Sequence, residues 1–184
     1  YLLSSQSDDS LAIKEIDSLI QVSRNLTSKY DFDKALEINL IAEKLALEKF
    51  SRESVAYGNA CFNHGRIMYG RKDFKESESW YLESKRIREK LLGVENLDYA
   101  WSLSNLANLY KDIGQFDKAE SFFLQAKEIR GKALGKDHVD YGNSLINLGI
   151  LYRILGRFIE SEKMYIEANL VLKINLGPNH PNYA

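Results

Sequence analysis

The spacing of the glycines constrains this chain more than any other feature. Gly93, Gly135 and Gly177 lie 42 residues apart, and Gly114 and Gly156 repeat the interval. The same register carries Tyr57, Tyr99, Tyr141 and Tyr183, then Asn63, Asn105 and Asn147, then Phe32, Phe74, Phe116 and Phe158. Laying residues 99–140 on residues 141–182 without a gap matches about a third of positions, several times the roughly 6% expected by chance for ordinary composition. A chain with such a period folds as a series of like units, each unable to bury its apolar face alone.

Within a unit the apolar residues fall at helical spacing, as in Leu103, Leu106, Ala107 and Tyr110, then Phe116, Ala119, Phe123, Ala126 and Ile129. Each unit is therefore a pair of amphipathic helices. Gly114 and Gly156 fall between the two, where a residue able to take positive φ ends one helix and reverses the chain. Gly93, Gly135 and Gly177 close the second helix, and an Asp or Asn follows near the next helix start. The only prolines, Pro178 and Pro181, sit at the far end and leave the rest free of the strongest helix breaker. The pattern predicts helices over 10–29, 33–50, 54–70, 74–92, 96–112, 116–134, 138–154 and 158–176. Four hairpins should stack as one solenoid over 1–184, with repeats 10–53, 54–95, 96–137 and 138–180, and with 181–184 opening a truncated further repeat.

Composition narrows the chemistry. Among 184 residues, 25 Lys and Arg balance 26 Asp and Glu, so no global charge draws the chain to nucleic acid or to an anionic membrane. The single cysteine, Cys61, excludes an intrachain disulfide and a zinc ribbon. No apolar run reaches the ~18 to 20 residues that span a bilayer, and Tyr1-Leu2-Leu3-Ser4-Ser5 lacks the basic start and apolar core of a signal peptide. A cytoplasmic setting is the expectation. The chain opens without Met and stops in phase with the start of a fifth unit, so it is expected to be a piece of a longer protein.

The residues at matching positions resemble the tetratricopeptide repeat. Leu145, Leu148-Gly149 and Tyr152 fit the first helix of that pattern, with Ser161 and Tyr165 on the second. One unit earlier Leu103, Leu106-Ala107, Tyr110, Ala119 and Phe123 do the same, and Cys61, His64-Gly65 and Met68 fit more loosely. The 42-residue period and the connectors Leu134-Gly135-Lys136-Asp137-His138 and Leu176-Gly177-Pro178-Asn179-His180-Pro181 resemble the kinesin-light-chain variant of the family, whose common period is ~34 residues. The resemblance implies an all-α, right-handed superhelical solenoid of antiparallel helix hairpins with about eight helices. It also implies a protein-interaction scaffold that holds a peptide or partner segment in its concave groove, with no catalysis and no cofactor. The rival implication is a regulatory arm of a larger enzyme, such as a protease or kinase, whose effector domain lies elsewhere.

In this family the first helix of each hairpin lines the concave face, so its residues not used in packing are the binding candidates. With Leu145, Leu148, Gly149 and Tyr152 turned inward, they are Asn143, Ile146, Asn147, Ile150 and Arg153. One unit back they are Trp101, Ser104, Asn105, Asn108 and Lys111, and before that Asn59, Phe62, Asn63, Arg66 and Tyr69. Asn63, Asn105 and Asn147 form a ladder of amides able to pair with an extended peptide backbone of any sequence, beside aromatic anchors and cations. The two-carboxylate clamp of chaperone-binding repeats is not expected, because Ile20, Arg24, Phe62 and Trp101 hold the comparable places.

Cys61 and His64 lie one turn apart, yet both occupy packing positions and read as core. His138 and His180 recur in equivalent connectors and read as helix-start hydrogen-bonding groups. Glu78, Glu120 and Glu162 recur once per unit, too dispersed to make a carboxylate pair. Lys85, Arg86, Arg88 and Lys90 are interleaved with Glu83 and Glu89, the pattern of a solvated face rather than a phosphate track. No catalytic or metal site, no nucleic-acid partner and no membrane partner are expected, and a dimer through exposed terminal repeat faces is.

Overall fold

The computed structural model describes the backbone of residues 2–176 and the side chains of residues 8–173. The helices are α1 (Leu2–Ser28), α2 (Phe32–Lys49), α3 (Val55–Gly70), α4 (Phe74–Leu92), α5 (Leu97–Asp112), α6 (Phe116–Leu134), α7 (Val139–Ile154) and α8 (Phe158–Leu176). Seven follow the predicted spans within one residue at either end. Helix α1 instead starts at Leu2, ahead of the expected residue 10, because nothing between Leu2 and Asp9 breaks a helix. The described residues contain no strand, so the fold is an all-α helical repeat. The connector from Gly177, with Pro178, His180 and Pro181, lies outside the described residues, as does the further repeat expected at 181–184.

The helices group into two compact units, residues 1–91 and 92–184. In the first, α1 packs on α2 and α3, and α2 on α3. Its core joins Ile16 and Ile20 of α1, Ala42 and Ala46 of α2, Tyr57, Ala60 and Cys61 of α3, and Ile87 of α4. In the second, α5 packs on α6, α6 on α7 and α7 on α8. Tyr99, Ala100 and Leu103 enclose Ala126, and Tyr141 and Leu145 enclose Ala168 and Val171. A large residue on one helix thus meets a small one on its partner, the complementarity that dense interiors require.

Small residues also set how closely the two helices of a hairpin cross. Ser161 Oγ of α8 donates to the Gly149 carbonyl of α7 at 2.8 Å, and Ser77 of α4 donates to Gly65 of α3 at 2.8 Å. In the first hairpin the direction reverses, with Ser23 of α1 donating to the Ala35 carbonyl of α2 at 2.7 Å. A Cβ on Gly149 would lie 2.9 Å from the Tyr165 ring, so a side chain here would have to displace that ring.

The intra-hairpin turns share one geometry. In each, the second residue after the helix takes a left-handed conformation: Tyr30 (φ 63°), Lys72 (φ 67°), Gly114 (φ 78°) and Gly156 (φ 72°). Two amides then return to the helix end, as in Gly114 N to Lys111 O and Gln115 N to Tyr110 O, satisfying carbonyls the helix leaves open. The starts of α3, α5 and α7 are capped by side chains: Ser54 Oγ accepts from Tyr57 N, Asn96 Oδ1 from Asp98 N, and His138 Nδ1 from Asp140 N. The helix-start role expected of His138 is the one it has.

Two substitutions separate crossing from turn. Gly149→Ala drives a methyl into the Tyr165 ring and should cost about 1–3 kcal/mol. Gly156→Ala, whose Cβ would meet nothing, should cost about 1 kcal/mol through its left-handed backbone alone. Urea denaturation followed by circular dichroism measures both.

Candidate binding face

The first helices of three hairpins, α3 in one unit and α5 and α7 in the other, carry the candidate residues. In α5, Trp101 is 43% exposed while the guanidinium beneath it is buried: Arg130 of α6 lies 4.7 Å from the indole centroid and is 3% exposed. Arg130 also donates to Ser144 Oγ of α7 at 2.7 Å, so one side chain ties the Trp101 ring to the neighbouring hairpin. Burial holds this arginine's pKa below its ordinary value, partly offset by Asp140. The stacked cation gives the indole a fixed rather than a swinging position. Along α7, Asn143 and Arg153 are exposed and Ile146, Asn147 and Ile150 are half-buried.

Three further candidates on α5, Asn105, Asn108 and Lys111, are half-buried and tied to their own helix. Asn105 donates to the Trp101 carbonyl at 2.9 Å and Asn108 to the Ser104 carbonyl at 3.1 Å. Lys111 reaches Asn108 Oδ1 at 3.4 Å and Asp112 at 3.3 Å. In α3, Asn59 accepts from Arg88 at 2.9 Å, Arg66 is half-buried, and Tyr69 packs on Phe74 with Lys72 5.5 Å from its centroid.

Three expected members of the exposed set are buried. Asn63, first read as a rung of an exposed amide ladder, is 0% exposed and donates to Ser23 Oγ at 2.8 Å and to Asn39 Oδ1 at 2.9 Å. Its neighbours on α1 and α2 are polar where later units have apolar side chains, which draws this amide into the interior. Phe62 is 5% exposed, packed on Tyr81 and covered by the Arg88 guanidinium 4.4 Å from its centroid. Ser104 is 4% exposed, small enough to be covered by the helices around it.

Sequence reasoning missed Arg88 and Arg130, which support the aromatic residues from behind. Their signal was present, since the two are 42 residues apart, but Arg88 was absorbed into a charge run read as solvated. The rest of that run is exposed or half-buried, with Arg86 joined to Glu53 at 2.7 Å and to Glu83 at 2.9 Å.

The core reading of Cys61 and His64 holds, at 0% and 4% exposure. Burial pushes the Cys61 thiol up to about 12. No group of three or more His, Cys, Asp or Glu among the described residues is placed to hold a metal ion. No described helix is long and apolar enough to cross a membrane. Helix α8 presents Phe158, Ile159, Ile166 and Leu170, each more than half exposed, beside a groove of about 720 Å³ that also includes Arg153 and Tyr165.

Paired helices at a 42-residue period, small-residue crossings and left-handed turns define a helical repeat protein. The tetratricopeptide repeat family model matches residues 53–132 and 106–168, more than half of the chain, and the chain belongs to that family of protein–protein interaction scaffolds. Among solved structures, BtubC (BKLC) from P. vanneervenii is similar at 27% identity and a TM-score of 0.74, over 91% of this chain and 68% of that one. A Podosopora anserina protein described as having kinesin light chain nearly identical TPR-like repeats is similar in fold at 18% identity and a TM-score of 0.78, over 93% of this chain and 81% of that one. No curated protein sequence matches the chain.

A thiol held this far above its ordinary range is a poor nucleophile. Native Cys61 should therefore react with a disulfide reagent at neutral pH at least tenfold more slowly than the urea-unfolded chain, as absorbance of the released thiolate would report.

Proposed function

We propose that the chain binds an extended peptide segment of a partner protein along the face formed by α5 and α7. The observation that carries this reading is Trp101: a large apolar ring, 43% exposed, braced from beneath by the buried Arg130 guanidinium. Exposed aromatic residues held rigid by a supporting shell are the anchors that dominate interface energies, because little entropy remains to be lost on binding. Asn143 and Asn147 would take main-chain hydrogen bonds, Ile146 and Ile150 would cover an apolar partner residue, and Arg153 would face its polar flank. Asn63 and Ser104 play no direct part, and Phe62 acts as packing under Arg88. No observation favours an attached catalytic domain. A cytoplasmic setting fits a lone thiol kept buried.

Selection from a displayed library of random twelve-residue peptides tests this. Peptides recovered on the wild-type chain should lose at least tenfold in affinity on Trp101→Ala, and roughly threefold to tenfold on the Asn143→Ala, Asn147→Ala pair, with helicity unchanged. Binders indifferent to all three changes would overturn the groove reading, as would substitutions that cost stability and affinity in equal measure.

A second reading, self-association, is favoured by the apolar side chains that α8 exposes. Sedimentation between 5 and 200 μM (roughly the range of weak dimers) should show a dimer in wild type and a monomer in Ile166→Glu, if a second copy takes that face.

A further inference from the structure

Two places depart from the repeat. One is interior. Where α5 and α7 place the buried Leu106 and Leu148, α3 places His64, whose Nδ1 lies 2.6 Å from Glu43 Oε1 of α2. Asn39 of α2 donates to the same oxygen at 2.8 Å and to the Ala60 carbonyl at 3.1 Å, so these buried groups bond one another and offer nothing to a ligand. The other departure lies on the surface, along α8. Ile159 stands where α2, α4 and α6 carry Asp33, Lys75 and Asp117, and Leu170 stands where they carry Lys44, Arg86 and Glu128. Between the two, Ile166 matches Leu40, Leu82 and Leu124.

A further helix of the ordinary kind does not account for these two exchanges. Asp33 and Lys44 stay exposed although α3 packs on α2, and Asp117 and Glu128 stay exposed although α7 packs on α6. Positions 159 and 170 thus lie outside the strip that a next first helix covers. Apolar side chains there, 72% and 58% exposed, call for a partner reaching further round α8. With Ile166 they make one stripe at helical spacing, bordered by Glu162 and Lys173 on one side and by Lys163 on the other, all three exposed. The groove of about 720 Å³ beside Phe158 and Tyr165 widens the same apolar surface.

We propose, resting on the self-association reading, that this stripe is where a second copy of the chain docks, α8 lying antiparallel to α8 about a two-fold axis at Ile166. Charge selects this arrangement. Antiparallel pairing about Ile166 sets Ile159 opposite Lys173 of the other copy, whose methylene stem covers it, and Leu170 opposite Glu162. Glu162 and Lys173 of opposite copies then lie within one turn of each other, twice by symmetry, and Lys163 meets Asn169. A parallel pair would set Glu162 against Glu162 and Lys163 against Lys163, a juxtaposition of like charges that disfavours it. The contact closes at two copies, because the same patch serves both.

Sedimentation of the full 184-residue chain, together with thiol cross-linking, tests the arrangement. A cysteine on the two-fold axis meets its own copy, so Ile166→Cys should give a covalent dimer with a bifunctional thiol reagent spanning about 8 Å, the separation of closely packed helices. Leu124→Cys, at the matching place on α6, should not. Cys61 is buried and stays silent in both. Glu162→Lys should raise the dimer dissociation constant about tenfold, and Glu162→Lys combined with Lys173→Glu should return it to about the wild-type value. Both residues are exposed, and circular dichroism checks that the fold is kept. A chain that stays monomeric to about 200 μM overturns this proposal and the self-association reading together. A dimer that Ile166→Glu dissolves, but with no selective cross-link at 166 or no rescue by the second exchange, leaves that reading standing and overturns the antiparallel pairing. So does assembly that grows beyond the dimer, the mark of a contact between unlike faces.

Discussion

The structure depends on how closely two helices can approach at a single crossing. At Gly149 and Ser161, and again at Gly65 and Ser77, a side chain no larger than a hydroxymethyl group faces a residue with none, and the hydroxyl bonds the opposing carbonyl. That contact fixes the depth of each hairpin. Depth in turn decides which residues of the first helix are covered by the second and which are left for a partner. Where the fifth and sixth helices use Ala107 and Ala119 at the equivalent places, the crossing is kept by size alone. A hydrogen bond made at such a point contributes about 1 kcal/mol, while the shape it permits determines everything packed around it.

Most of the fold was legible because it is written several times. A glycine at 114 could be accidental; glycines at 114 and 156, with phenylalanines two residues after each, mark a turn and a helix start. The periodicity of Leu103, Leu106, Ala107 and Tyr110 likewise predicted which face is interior, and all four are buried. The candidate face was less legible. Helical spacing sorts residues into inner and outer arcs, yet whether a residue at the boundary is covered depends on the size of side chains from other helices. Asn63 was assigned by analogy with Asn105 and Asn147, but Ser23 and Asn39 offer it partners that the later units do not have. Trp101 could be named from the sequence. The guanidinium that holds it could not, since its contact is made across some thirty residues and resembles a surface charge until it is seen buried.

The polar junction around His64 shows the opposite side of repetition. Repeated units would be free to pair in any register if their interfaces were alike, since each apolar face suits every other. A junction with Asn39, Glu43, Asn63 and His64 suits only a partner that satisfies all of their hydrogen bonds, because a mispaired buried polar group costs more than a mispaired leucine. The unit comprising the first four helices therefore carries its own instruction for which helix follows which. The later unit, with Leu106, Phe123 and Leu148 at the corresponding places, relies on volume and on the short connectors instead.

The left-handed turns hold a last consequence. Tyr30 and Lys72 occupy the conformation that Gly114 and Gly156 adopt without steric cost, and the amides behind them make the same returns to the helix end. The same turn geometry is thus built with glycine and without it. The first hairpin lies outside the span that the family pattern matches, yet its chain reverses by the same path as the hairpins inside it. The units of such an array are better recognised by where the chain reverses than by which residues reverse it.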